Sequence, residues 1–151
     1  MKKIITYIFY LFFPLLVGGI VAFFIKDSMD YTSLIRPPLA PPKFLFPIAW
    51  TIIYLFMGLS YFLYKKDFEE RNILDFLYYI QLFVNALWSF IFFLWKARFI
   101  AILWILLLDI LAVLLIYCFF YKKKISAFLN IPYLIWILFA TYLTIGIYVL
   151  N

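Results

Sequence analysis

The sequence predicts an all-α membrane protein, a bundle of five transmembrane helices. Three observations predict it. The chain of 151 residues is 70% hydrophobic with a mean hydropathy of +1.11, against about 45–50% apolar residues in soluble domains. Its charges fall in clusters that cut the chain into five apolar runs. Each run is roughly 20 residues, the length at which a helix crosses about 30 Å of hydrocarbon. Barrel strands would be half as long and would alternate polar with apolar residues. A helix also satisfies its own backbone polar groups, as lipid requires. No stretch is polar and long enough for a second domain, so residues 1–151 read as one.

Charges mark the ends of each span. The first runs from Ile4 to Ile25, between Lys2-Lys3 and Lys26-Asp27. The second runs from Phe44 to Tyr64, between Lys43 and Lys65. The third is expected from about Phe76 to Trp95, between Asp75 and Lys96. The fourth runs from Phe99 to Tyr121, between Arg98 and the Lys122-Lys123-Lys124 run, and the fifth from about Phe128 to Leu150. The first run is longer than a signal-peptide core, and Lys26, Asp27 and Ser28 follow it instead of a small-x-small cleavage site, so a retained helix is expected. Lys and Arg number eight on the side of the N-terminus and the second and fourth loops, and five on the side of the first and third loops. That bias predicts a cytoplasmic N-terminus. The net charge of +6 then reports anchoring against anionic headgroups. No basic patch stands away from the helix ends, so no nucleic-acid partner is expected.

Composition excludes several chemistries. The chain has no His and one Cys, Cys118. His-based triads, the usual zinc sites, the ordinary axial ligand of haem and an intramolecular disulfide are therefore absent. Four Gly form no phosphate-binding loop. No catalytic residue, metal or cofactor is expected.

Two features point to a ligand. The first loop, Lys26 to Lys43, carries Pro37-Pro38 and Pro41-Pro42, which fix φ and favour an extended path. It is a stiff connector or a lid over the helix ends, and the sequence leaves both open. The second feature is a set of stripes inside the spans. Gln81, Asn85, Trp88, Ser89 and Phe92 recur at spacings of three and four and share a helix face. Trp50, Tyr54, Met57, Gly58 and Tyr61 make a second stripe, and Trp136, Phe139, Ala140 and Leu143 a third. Helix packing explains each alone; three together predict an aromatic-lined cavity for a large flat apolar ligand. Asp109 is the acid deep in a span. It is costly there unless neutralised, hydrogen-bonded or turned to a cavity, and a functional role and a structural hydrogen bond both stay open. Gly18 and Ala22 form a small-xxx-small pair suited to close helix packing.

These residues resemble the TspO/MBR family, the tryptophan-rich sensory proteins and the translocator protein (peripheral benzodiazepine receptor), over nearly the whole chain. Arg36-Pro37, Pro41-Pro42, Trp50, Tyr54, Met57 and Gly58 resemble its K-P-x-W-x-P-P…W-x-x-L-Y-x-x-M-G pattern. Gln81, Leu82, Asn85, Trp88, Ser89, Phe92 and Phe93 match its Q-L-x-L-N-x-x-W-S-x-x-F-F, and Pro132, Tyr133, Trp136, Phe139, Ala140 and Leu143 its P-Y-x-x-W-x-x-F-A-x-x-L-N. Leu39 stands where the family usually has Trp, and Thr144 where Asn is common. Trp104 occupies the place of a frequent acid, and Asp109 lies about 140° further round a helix, so that acid is not carried over. The C-terminal L/V-x-Y-x-K/R cholesterol pattern is absent, since no Lys or Arg follows Tyr142 or Tyr148.

The resemblance implies a five-helix bundle, often homodimeric, with a pocket beneath the first loop for porphyrins and similar flat apolar small molecules. Trp50, Asn85, Trp88, Trp136, Phe139, Ala140 and Leu143 would line that pocket, and Tyr31 would help cover it. The functions that compete are a tetrapyrrole sensor or stress regulator, a transporter of such ligands, a light-dependent porphyrin-degrading enzyme working through Trp50 and Trp136, and a ligand-free structural or assembly protein. No inverted repeat or broken helix pair favours the transporter. Abundant Phe, Ile, Tyr and Lys point to an AT-rich bacterial genome, hence to a bacterial cell membrane.

Overall fold

The structure, a computed structural model, describes residues 2–151. Five helices follow in order: α1 (Lys2–Ile25), α2 (Leu45–Asp67), α3 (Ile73–Ser89), α4 (Arg98–Lys122) and α5 (Lys124–Leu150). All five are long and apolar enough to cross a membrane. The fold is the expected all-α transmembrane bundle. α1 packs along α2, α2 on α5, α5 on α4 and α4 on α3. Outward faces carry large apolar side chains, among them Ile8, Phe12, Leu16 and Ile20 on α1 and Leu103, Ile110 and Leu114 on α4. In a bilayer these meet lipid tails, so their exposure costs nothing.

Two helices start three or more residues before the expected spans. α3 begins at Ile73, three residues before Phe76. Asn72 caps it: the Asn72 side chain accepts from the Leu74 amide at 2.9 Å, and the Asp75 carboxylate accepts from the Asn72 amide at 2.9 Å. The acid that marks the edge of the apolar run is thus a cap inside the helix. α5 begins at Lys124, four residues before Phe128, because the turn from α4 is made by Lys123 alone. α3 ends in a π-helical turn, Phe90–Leu94, after which Lys96 takes a positive φ of 54°. Arg98, opening α4, holds this end: it donates to the Phe92 carbonyl at 2.5 Å and to both oxygens of Asp30 at 2.8 and 2.7 Å.

The half of the bundle that holds the N-terminus is densely filled. A Cβ on Gly58 would fall 1.8 Å from the Leu11 carbonyl oxygen, so α1 and α2 meet there backbone to backbone. Tyr61 and Tyr78 stack at 4.0 Å, and Tyr61 donates to Asp75 at 2.6 Å. The buried Lys65 ammonium pairs with Asp75 at 3.3 Å. Ser60 and Ser126 donate to each other's carbonyls at 2.9 and 2.7 Å, and Asn130 donates to Ser60 Oγ at 2.6 Å. Ion pairs between Lys3 and Glu69 and between Lys123 and Asp67 bind the helix ends together.

Candidate functional site

The other half of the bundle is hollow. A cavity of about 410 Å³ lies beneath the first loop, between α1, α2, α3 and α5. Successive turns of α2 bring Trp50 and Tyr54 into a stack at 5.2 Å. Trp136 of α5 meets the edge of Trp50 at 6.4 Å and that of Phe46 at 6.0 Å. Trp88, backed by Phe92 at 5.5 Å, completes the indole walls with Phe93 beside it. α1 supplies the small wall. A Cβ on Gly18 would fall 2.2 Å from the Tyr54 ring, so only glycine lets that ring lie against α1. Lys26 is the charged residue on the wall.

Of the residues expected at the pocket, Trp50, Trp88, Trp136 and Ala140 line this cavity. The other four stand behind it. Asn85 is buried, with its amide committed: Tyr54 donates to its Oδ1 at 2.7 Å and its Nδ2 donates to Tyr133 at 3.4 Å. Tyr133 in turn donates to Gln81 at 2.7 Å. The amide chain therefore fixes the Tyr54 wall from below. Phe139 packs on Trp136 at 5.8 Å, and Leu143 is buried in α5. Tyr31 is 2% exposed and packs edge-on against Phe46 at 5.0 Å.

The first loop is ordered over the cavity. Tyr31 donates to the Pro41 carbonyl at 2.7 Å. Burial pushes its phenol up from the ordinary tyrosine range, against the opposing effect of the Arg36 guanidinium, so it remains a donor at neutral pH. Arg36 lies over the Tyr31 ring at 5.1 Å. Tyr142 donates to the Pro38 carbonyl at 2.6 Å. Asn151 grips Ile35 at both ends of the residue: it accepts from the Ile35 amide at 3.0 Å and donates to the Ile35 carbonyl at 2.8 Å. With the Asp30–Arg98 fork, these contacts fasten the loop over the cavity to α4 and α5. Leu39, in the place of the family's usual Trp, has a φ of 65° and is 87% exposed.

Several wall residues were not legible as such. Gly18 and Ala22 suit helix packing by their spacing, yet both face the cavity. Phe46 and Phe93 also line it, as does Ser89 of the expected third-span stripe. Phe46 lies about one helical turn before Trp50, and Phe93 lies beyond one turn after Trp88. Asp109 does not line the cavity. Its Oδ2 accepts from Thr141 at 2.8 Å, joining α4 to α5, while Oδ1 has no partner. Trp104, in the place of the frequent acid, donates to the Val84 carbonyl at 2.9 Å.

Residues 10–150 match the TspO/MBR family. The chain is 34% identical over 140 residues to the tryptophan-rich protein TspO of Archaeoglobus fulgidus, covering 91% of each chain. It is 39% identical over 129 residues to the protein of the same name from Chlorobaculum tepidum, covering 82% of this chain and 80% of that one. It is 31% identical over 117 residues to the tryptophan-rich sensory protein of Cereibacter sphaeroides, covering 78% of this chain and 73% of the relative.

Proposed function

The chain belongs to the TspO/MBR family, and from that premise we propose that it is a membrane receptor or sensor for porphyrins and similar flat apolar ligands, bound in the cavity under the first loop. One observation carries the reading: an aromatic-walled void of about 410 Å³ under a fastened lid. Ligand pockets of about 300–1,000 Å³ with apolar walls and few polar groups are the usual size and chemistry. A tetrapyrrole offers two broad faces to Trp50, Trp88 and Trp136, and aromatic contacts reward flat partners. Without His in the chain, a metal-free tetrapyrrole suits the site better than axially ligated haem. The name of the Cereibacter sphaeroides relative, a sensory protein, agrees with sensing. Asn85, Phe139 and Leu143 support the walls in this reading, and Tyr31 holds the lid.

Protoporphyrin IX is expected to quench the tryptophan fluorescence of the purified protein saturably, with a dissociation constant on the order of micromolar, about −8 kcal/mol. Quenching that rises linearly without saturation would leave a structural or assembly role. A second reading, a light-dependent porphyrin-degrading enzyme, draws on the edge-to-face pair Trp50–Trp136 at 6.4 Å. It requires loss of bound porphyrin under light that stops in Trp136→Phe while binding persists.

The proposed setting is a bacterial cell membrane with the N-terminus in the cytoplasm, from the eight-to-five bias of Lys and Arg. In a Cys118→Ser background, a cysteine appended after Asn151 should react with an impermeant reagent from outside intact cells. Labelling only after lysis would reverse the orientation. A homodimer, as is common in the family, is part of the same proposal.

A further inference from the structure

The cavity has walls that belong both to the core and to the surface. Trp88 and Ala140 are buried, yet Gly19, Ala22, Pro47 and Thr51 line the same void and are exposed on the outside of α1 and α2. The two helices touch backbone to backbone at Gly58 and Leu11, and Gly18 lies hard against Tyr54. One residue further, a Cβ on Gly19 would meet no atom within 4 Å. The seam between α1 and α2 is therefore closed in the N-terminal half and open at the level of the cavity. Exposed Phe23 on α1 and Ile48 on α2 stand next in sequence to the rim residues Ala22 and Pro47. The opening faces lipid tails, not water. The route from above, by contrast, is closed by the lid and its bonds to Arg98, Tyr142 and Asn151.

We propose that the ligand is loaded sideways from the lipid, through a portal between α1 and α2 rimmed by Gly19, Ala22, Pro47 and Thr51, and that it is an amphiphile whose carboxylate rests on Lys26. This rests on the binding reading above. Lys26 is the first charge after the α1 span and the charged member of the cavity wall. A lysine at a helix end keeps its ammonium at the headgroup level while its stem lies along apolar surface; here the ammonium sits over the Phe23 ring at 4.6 Å. The neighbouring Asp27 is exposed, whereas Asp30 is neutralised by Arg98 and Lys96. A flat apolar body in the cavity with an acid at the interface keeps its charge out of hydrocarbon throughout loading, as the cost of a charge at mid-bilayer demands.

The test loads the full-length protein in lipid vesicles from donor vesicles carrying protoporphyrin IX or, separately, its dimethyl ester, and follows tryptophan quenching in time. Gly19→Phe grows into open space, so the fold should hold, and Thr51→Leu repeats the test from the opposite rim. A gate hinders passage in both directions, so loading and release should both slow at least tenfold in Gly19→Phe. Lys26→Gln should weaken the diacid several-fold and leave the ester unchanged. Unchanged loading in both rim variants would overturn the portal, and faster loading in Asn151→Ala would then place entry at the lid. Equal effects of Lys26→Gln on acid and ester would overturn the carboxylate contact. A parent that binds neither probe saturably would overturn the binding reading itself, and the portal with it.

Discussion

The two halves of this bundle spend their side chains differently. In the half with the N-terminus, buried polar side chains bond one another: Lys65 with Asp75, Tyr61 with Asp75, Ser60 with Ser126 and Asn130, whose Oδ1 alone is left over among these. Helices touch there without a gap, as at Gly58 and Leu11. In the lid half, Trp50, Trp88 and Trp136 surround a void, and the bonds of the first loop lie outside it. In lipid, apolar surface alone does not drive helices together; close packing and interhelical hydrogen bonds do. Concentrating both in one half lets the other stay open. Stability and the proposed binding are then expected to be separable, and substitutions in the two halves should have different signatures.

The largest effect is expected from Asp75→Leu. It leaves the Lys65 ammonium, whose side chain is 4% exposed, without its charged partner and with the Glu70 carbonyl at 3.0 Å as its remaining acceptor. Breaking a buried pair from one side costs about 3–5 kcal/mol. Thermal unfolding in detergent should show that loss, while the folded fraction binds porphyrin with the parent's affinity. An affinity that falls with stability would join the halves into one unit. Gly58→Ala comes next, since the new methyl would press on the Leu11 backbone. Overpacking costs about 1–3 kcal/mol, again read as melting temperature with binding unchanged. Gly19→Ala is its counterpart in the hollow half and should not move the melting temperature. The smallest effect falls on the lid. Asn151→Ala removes both bonds to Ile35, each worth about 0.5–1.5 kcal/mol net, and their exposure puts them at the low end. Release of ligand should quicken about two- to fivefold at constant loading rate, as affinity changes of this size fall on the off-rate. Unchanged release would make the first loop a connector.

What the sequence revealed follows the same division. The five spans were legible because charges sit where chain leaves hydrocarbon, and the stiff path of the first loop because paired prolines fix it, while lid and connector stayed open. Trp50, Trp88, Trp136 and Ala140 were legible because helical spacing puts them on inward faces. Periodicity could not separate a residue that lines a void from one that stands a ring behind it. Asn85 shows why: its stripe is right, but its amide is taken by Tyr54 and Tyr133 from two other helices. The fastenings of the lid were equally hidden, since Asn151 and Ile35 lie 116 residues apart and no local pattern joins them. The early start of α3 was missed for a local reason: Asp75 reads as a boundary charge but serves as a cap.

The most direct test sets one substitution in each half against the other. Protoporphyrin IX is titrated into the parent, Trp136→Phe, Tyr78→Phe and Trp95→Phe, with tryptophan quenching as the readout and melting temperature as the check on folding. Trp136→Phe removes stacking area from the cavity wall, and aromatic pairs contribute about 0.5–1.5 kcal/mol, so its dissociation constant should rise several-fold. Tyr78→Phe removes one hydroxyl from the filled half, whose bond to the Met57 carbonyl is long at 3.4 Å. Trp95 is 60% exposed at the end of its span. Both should bind like the parent. Equal affinity in all four proteins, or a loss in Tyr78→Phe as large as in Trp136→Phe, would contradict a binding site confined to the lid half.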